Sequence, residues 1–173
     1  MSYSNPCNIE ANSTVWKGSV PCKSRFVCFE DPLYGFRAAA HVLKSYFTRR
    51  HLRSLHDVIY TWAPPVENDS SRYLQFVART LGASPDCIID STEDCAKVLG
   101  AMAIMENSRS CLTSISVFLD RFTSLPVSDP RYKAFDALLS PCLSNYSRIF
   151  DESITMSTHR FLTIIYLTIH RHV

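Results

Sequence analysis

Apolar residues recur at three- and four-residue steps along most of the chain, and few breakers interrupt them. Leu33, Phe36, Ala40, Leu43 and Phe47 fall on one face of a helix over 32–49, with Arg37, His41 and Lys44 opposite. Phe29-Glu30-Asp31-Pro32 starts it, because proline fits the first helical turn, where its missing N–H costs nothing. Ser54 and Asp57 form a capping-box-like pair ahead of Leu55, Val58, Ile59 and Trp62, and Pro64-Pro65 ends that short helix. Asn68 or Asp69 caps a helix with Tyr73, Phe76, Val77 and Leu81 inward and Gly82 as its left-handed C-terminal residue. Ser91 caps 92–106, whose end from Leu99 to Met105 is apolar nearly all round, as in a helix central to a fold.

Two stretches read differently. Val15-Trp16-Lys17-Gly18 and Arg25-Phe26-Val27-Cys28-Phe29 predict two short strands around a turn near Val20-Pro21. Residues 111–173 are rich in Ser and Thr among large apolar residues. Leu112, Ile115, Phe118, Leu119 and Phe122 predict one helix there, and Tyr132, Phe135, Leu138 and Leu139 a second. The last stretch, 157–170, is β-branched and aromatic, which leaves helix and strand both open. The expected fold is mainly α (α+β): a helical domain over 1–110 with a small N-terminal β-hairpin, and a helical extension over 111–173.

Composition narrows the function classes. With 173 residues, 46% of them hydrophobic, the chain can bury a core without staples. A net charge of +2 sets up no strong field, so neither nucleic acid nor a membrane surface is expected as partner. The most apolar run, Phe161 to Ile169, is far shorter than the ~20 residues of a spanning helix. The N-terminus has no apolar signal-peptide core, so the expected location is cytoplasmic when made. The seven Cys show no C-x-x-C spacing, and His41, His51 and His56 show no metal spacing. The cysteines read as reduced thiols serving as small hydrophobes; no metal and no cofactor are expected.

Three groups of residues stand together in the first 107. Asn5-Pro6-Cys7-Asn8-Ile9 precedes Trp16-Lys17-Gly18 and Phe26-Val27-Cys28-Phe29. Tyr34-Gly35-Phe36-Arg37-Ala38 follows. Then come Trp62-Ala63-Pro64-Pro65-Val66-Glu67-Asn68, Tyr73 and finally Ala103-Ile104-Met105-Glu106-Asn107. This order resembles a family of phage and prophage virion-associated proteins with the pattern N-P-G-N-I-R, W-x-G, G-x-R-A, W-A-P-P-x-E-N and a helix ending E-N-G. Cys7 and Ser108 stand where the pattern has Gly, and Glu10 where it has Arg. A left-handed backbone at the first of these would suit Gly and strain Cys7.

The resemblance implies a lysozyme-like helical fold and degradation of peptidoglycan. Glucosaminidases and lytic transglycosylases carry a similar Glu helix and a similar N-x-x-(G/N)-I segment in the opposite order. A circularly permuted domain would therefore bring Glu106 beside Asn5–Ile9. Glycoside cleavage needs an acid that protonates the leaving oxygen, and a Glu reached through an apolar helix suits that task. The expected catalytic residues are Glu106 and, second, Glu67, which alternatively buttresses its loop. Asn5, Asn8, Trp16, Tyr34 and Asn107 are the expected substrate-binding residues, whereas Trp62 and Tyr73 read as core. The expected function is cleavage of the peptidoglycan glycan strand, of muramidase, glucosaminidase or lytic transglycosylase type, by a phage virion or lysis protein. The alternative is a catalytically inactive structural or host-interaction module. Other virion or host proteins are the expected partners of 111–173.

Overall fold

The computed structural model describes residues 4–173. Its order is β1 (Ser19–Val20), β2 (Cys28–Phe29), α1 (Pro32–Arg49), α2 (Leu55–Trp62), α3 (Ser70–Leu81), α4 (Thr92–Glu106), α5 (Arg109–Thr123), α6 (Pro130–Ile149) and α7 (Thr158–His170). The protein is mainly α with a small two-stranded β element. Each helix starts on a polar cap. Asp31 accepts the Leu33 N–H at 2.9 Å, Ser54 that of Asp57 at 3.0 Å, Asp69 that of Arg72 at 3.0 Å and Ser91 that of Asp94 at 3.1 Å. Gly82 closes α3 in the left-handed conformation, as its position predicts.

The hairpin is shorter than the alternation of Val15–Gly18 with Arg25–Phe29 predicts. Ser19 pairs with Phe29 and Val20 with Cys28, antiparallel. Gly18, at φ +71°, turns the chain so that the Ser19 N–H returns to the Trp16 carbonyl at 3.2 Å. Trp16–Gly18 is therefore a turn. Arg25–Val27 pairs instead with the chain start: Ala11 N–H donates to the Arg25 carbonyl and Val27 N–H to the Ile9 carbonyl, both at 2.8 Å. A side chain at Gly18 would have its Cβ 2.2 Å from the Tyr34 ring, so only glycine fits this turn.

The cysteines also depart from expectation. Cys22 and Cys28 form a disulfide beside the hairpin, because the strand pairing brings their Cα atoms to 6.1 Å. Cys7, Cys95 and Cys142 are free and buried, and Cys87 and Cys111 are free and half-buried. Burial holds the buried thiols protonated; that of Cys142 is pushed up to about 11.

α4 is the centre of the molecule. Cys95, Val98, Leu99, Met102 and Ala103 are fully enclosed, α3 lies along one side and α7 along another. The ambiguous last stretch is helical because Phe161, Leu162, Ile165 and Ile169 then fall on one buried stripe against α4. Residues of 4–110 and of 111–173 share a single core cluster. No helix among the described residues is long and apolar enough to cross a membrane.

α4 and α7 approach so closely at Gly100 that a Cβ there would stand 2.7 Å from Thr168 Cβ. Gly100→Ala must push α7 outward, and it is expected to cost about 1–3 kcal/mol in urea denaturation. An unchanged midpoint would mean that the two helices part freely.

A second prediction concerns acid. Burial, and then the Arg37 and Lys44 charges, lower the pKa of His41 on α1 from 6.5 to about 4. Between these values the unfolded chain binds a proton that the folded chain refuses. The stability due to neutral His41 is complete above pH 6.5 and lost as pH falls to about 4. Asp31, whose carboxyl is raised by burial, acts in the opposite sense. The thermal midpoint is therefore expected to fall more steeply on acidification in the wild type than in His41→Asn. Parallel curves would remove His41 as the source.

Candidate functional site

The last residue of α4 lies at an open groove. The Glu106 carboxylate is held from two sides. Asn8 Nδ2 donates to Oε2 at 2.7 Å, and the Tyr73 hydroxyl, from α3, donates to Oε1 at 2.9 Å. The chain start and the end of α4 thus meet, although they are 98 residues apart. Asn8 also reaches the Glu106 backbone carbonyl, at 3.4 Å.

This meeting depends on how the first residues fold. Asn5 is buried, and its side chain is spent on the backbone: Nδ2 donates to the carbonyls of Ile9 at 3.0 Å and Val27 at 2.8 Å, and Oδ1 accepts the Ile9 N–H at 2.9 Å. The resulting turn puts Asn8 at φ +51°, a conformation that Asn tolerates better than most residues. The left-handed residue is therefore Asn8 and not Cys7. Cys7 instead turns inward against the Leu99 carbonyl of α4, fully enclosed. Burial and the nearby Glu106 charge hold its thiol well above the usual range, so it supplies no nucleophile.

Asn107 lies beneath the groove. Its Nδ2 donates to the carbonyls of Pro6 at 2.6 Å and Ala103 at 2.7 Å, tying the chain start to the end of α4. Ser108, where the family pattern has Gly, caps α5 by accepting the Cys111 N–H at 3.4 Å. That role suits a hydroxyl better than a glycine.

The groove has a volume of about 500 Å³. Asn8 and Glu106 lie in it, with Trp16, Tyr46, Trp62 and Asn68 among the lining. Tyr46 and Trp62 meet edge to face, with ring centroids 6.5 Å apart. One lip carries an ion triad: Arg25 Nη2 lies 2.5 Å from Glu10 and 2.7 Å from Glu67. All three are exposed, so each contact is worth little alone; together they link the Ile9–Val27 pairing to the proline loop of 63–68. Glu67 is thus in the groove but engaged by a cation.

Of the expected residues, Glu106, Asn8, Trp16 and Glu67 come together in the groove. Asn5 and Asn107 support it from below. Tyr34 stands elsewhere: its ring packs on Gly18 and meets Phe135 of α6 at 5.9 Å, so it does not line the groove. Tyr73, Trp62, Arg25 and Tyr46 are the residues that pattern reasoning missed. Tyr73 is almost wholly buried and does pack as core, yet its hydroxyl reaches the carboxylate. The signal was available, because a buried phenol must find a partner. Burial first, then the Glu106 charge, holds that phenol well above its usual range, so Tyr73 remains a donor. No group of three or more His, Cys, Asp or Glu side chains among the described residues is arranged to hold a metal ion.

The arrangement presents one carboxylate, fixed by two donors, at an aromatic-walled groove. Such a group can give and take a proton at a stated place. No protein-family model matches the chain. The chain is similar to Protein P5 of Pseudoalteromonas phage PM2, with 33% identity over 114 residues, spanning 63% of this chain and 71% of that protein. It belongs to the family of that phage protein.

Proposed function

We propose that this protein cleaves the glycan strand of peptidoglycan, with Glu106 as general acid and then general base. The observation that supports it above all is the seating of Glu106 in an open groove between Asn8 and Tyr73. Protonated Glu106 gives its proton to the glycosidic oxygen as the C1–O bond breaks. A hydroxyl then attacks C1 and returns its proton to the carboxylate, which restores the starting state. In hydrolysis that hydroxyl belongs to water; in a transglycosylase it belongs to the sugar itself.

Glu10 and Glu67 are both engaged by Arg25, which leaves Glu106 as the groove's one carboxylate without a cation. A single free carboxylate favours the transglycosylase form of the reaction. Trp16, Tyr46 and Trp62 offer flat apolar faces to sugar rings, and Asn68 offers polar contacts to hydroxyls. The phage relative supports a virion or lysis role, in which the exposed faces of α5–α7 would meet other virion or host proteins.

The test is release of soluble fragments from purified sacculi. Glu106→Gln is expected to lower the rate by about 100-fold or more. Tyr73→Phe is expected to lower kcat by about 3–30-fold with little change in KM, since it only orients the carboxylate. Mass spectrometry of the products separates the routes, because a transglycosylase product is lighter by one water. Equal release by wild type and Glu106→Gln removes Glu106 from the mechanism. No release by a folded wild type favours the non-catalytic interaction module.

A further inference from the structure

A second cleft, of about 550 Å³, opens between α1, α5 and α6 and shares no lining residue with the groove. Its walls are Leu33 and Tyr34 of α1, Phe118 and Phe122 of α5, Leu125 just beyond α5, and Phe135 of α6. Phe122 and Phe135 close its base, at 7% and 3% exposure. A concave, largely apolar space of this size with few polar groups is the usual form of a small-molecule site.

Three charged residues border the cleft, and two are committed. The Asp31 carboxylate caps α1 through the Leu33 N–H at 2.9 Å. Arg131 is held by Asp129 through Nε at 3.1 Å and Nη2 at 2.9 Å. Arg121 is exposed at the mouth, and its side chain makes no hydrogen bond or ion pair among the described residues. The cleft therefore combines an aromatic interior with one positively charged side chain that has no partner among the described residues, while the Asp31 carboxylate that caps α1 keeps its own charge. The matching ligand has an apolar body and a single anionic end.

We propose that this cleft binds a single-chain amphiphile with a carboxylate head, its chain against Phe118, Phe122 and Phe135 and its head on Arg121. The site makes no use of Glu106, and it stands whether or not the chain cleaves peptidoglycan.

The test is calorimetric titration of the full chain with sodium decanoate below its micellar concentration. One site per chain is expected. Shortening the ligand to octanoate should weaken binding about fourfold for each methylene removed. Arg121→Ala should weaken decanoate at least tenfold. Ala134→Trp, on the exposed and cleft-lining part of α6, should fill the space and abolish binding. Neutral decanol and cationic decyltrimethylammonium should bind at least tenfold more weakly than decanoate. No binding of decanoate overturns the proposal, as does binding that survives Ala134→Trp. Equal binding of decanol and decanoate removes the anionic head. A dimer in sedimentation that disappears in Ala134→Trp would make the occupant a second copy of the chain, and would overturn the amphiphile.

Discussion

The bond between Asn8 and Glu106 is what the groove depends on. It fastens the first residues of the chain to the end of the central helix, across almost the whole length of the N-terminal part. The entropy of closing so long a loop grows only slowly with its length, but it must be met by specific contacts. Those contacts are polar and local. The Asn5 side chain satisfies three backbone groups, Asn107 binds the carbonyls of Pro6 and Ala103, and Asn8 takes the carboxylate. Each such bond contributes about 0.5–1.5 kcal/mol net, and breaking one inside strands a buried partner at higher cost. Three asparagines therefore place one glutamate, and they do so through main-chain carbonyls more than through side chains.

Helices were the most legible part of the chain. Their caps are local chemistry, and their buried stripes are spacing, so Asp31, Ser54, Asp69 and Ser91 mark starts that need no tertiary information. The hairpin was less legible because pairing is not local. Arg25–Val27 alternates suitably for Val15–Gly18, but its partner is Ile9–Ala11, chosen by where the buried Asn5 holds the chain start. The Cys22–Cys28 bond was illegible for the same reason: only the folded hairpin makes the two residues neighbours. At the site, the family resemblance, with its two motifs in the opposite order, implied that Glu106 would lie beside Asn5–Ile9. Spacing could not show that Tyr73 spends its hydroxyl on Glu106 while its ring fills the core. Periodicity sorts whole side chains by face, and Tyr73 has two ends with different duties.

The C-terminal segment takes part in this geometry at one remove. α4 ends at the groove and carries α7 along its other flank, with Gly100 against Thr168. Its burial on several sides explains the apolar texture of Leu99–Met105, which a surface helix would not need. A helix so enclosed has little freedom to tilt, which keeps its terminal carboxylate at a fixed height in the groove.

Tyr34 gives the molecule a further property. One face of its ring rests on Gly18, two residues from the Trp16 wall of the groove, and the ring also borders the aromatic cleft beside Phe135. Tyr34 thus lines the aromatic cleft and at the same time covers the Gly18 turn that follows Trp16. A substitution that shrinks this ring would therefore be felt in two places, as a lost wall of the cleft and as an uncovered turn beside Trp16.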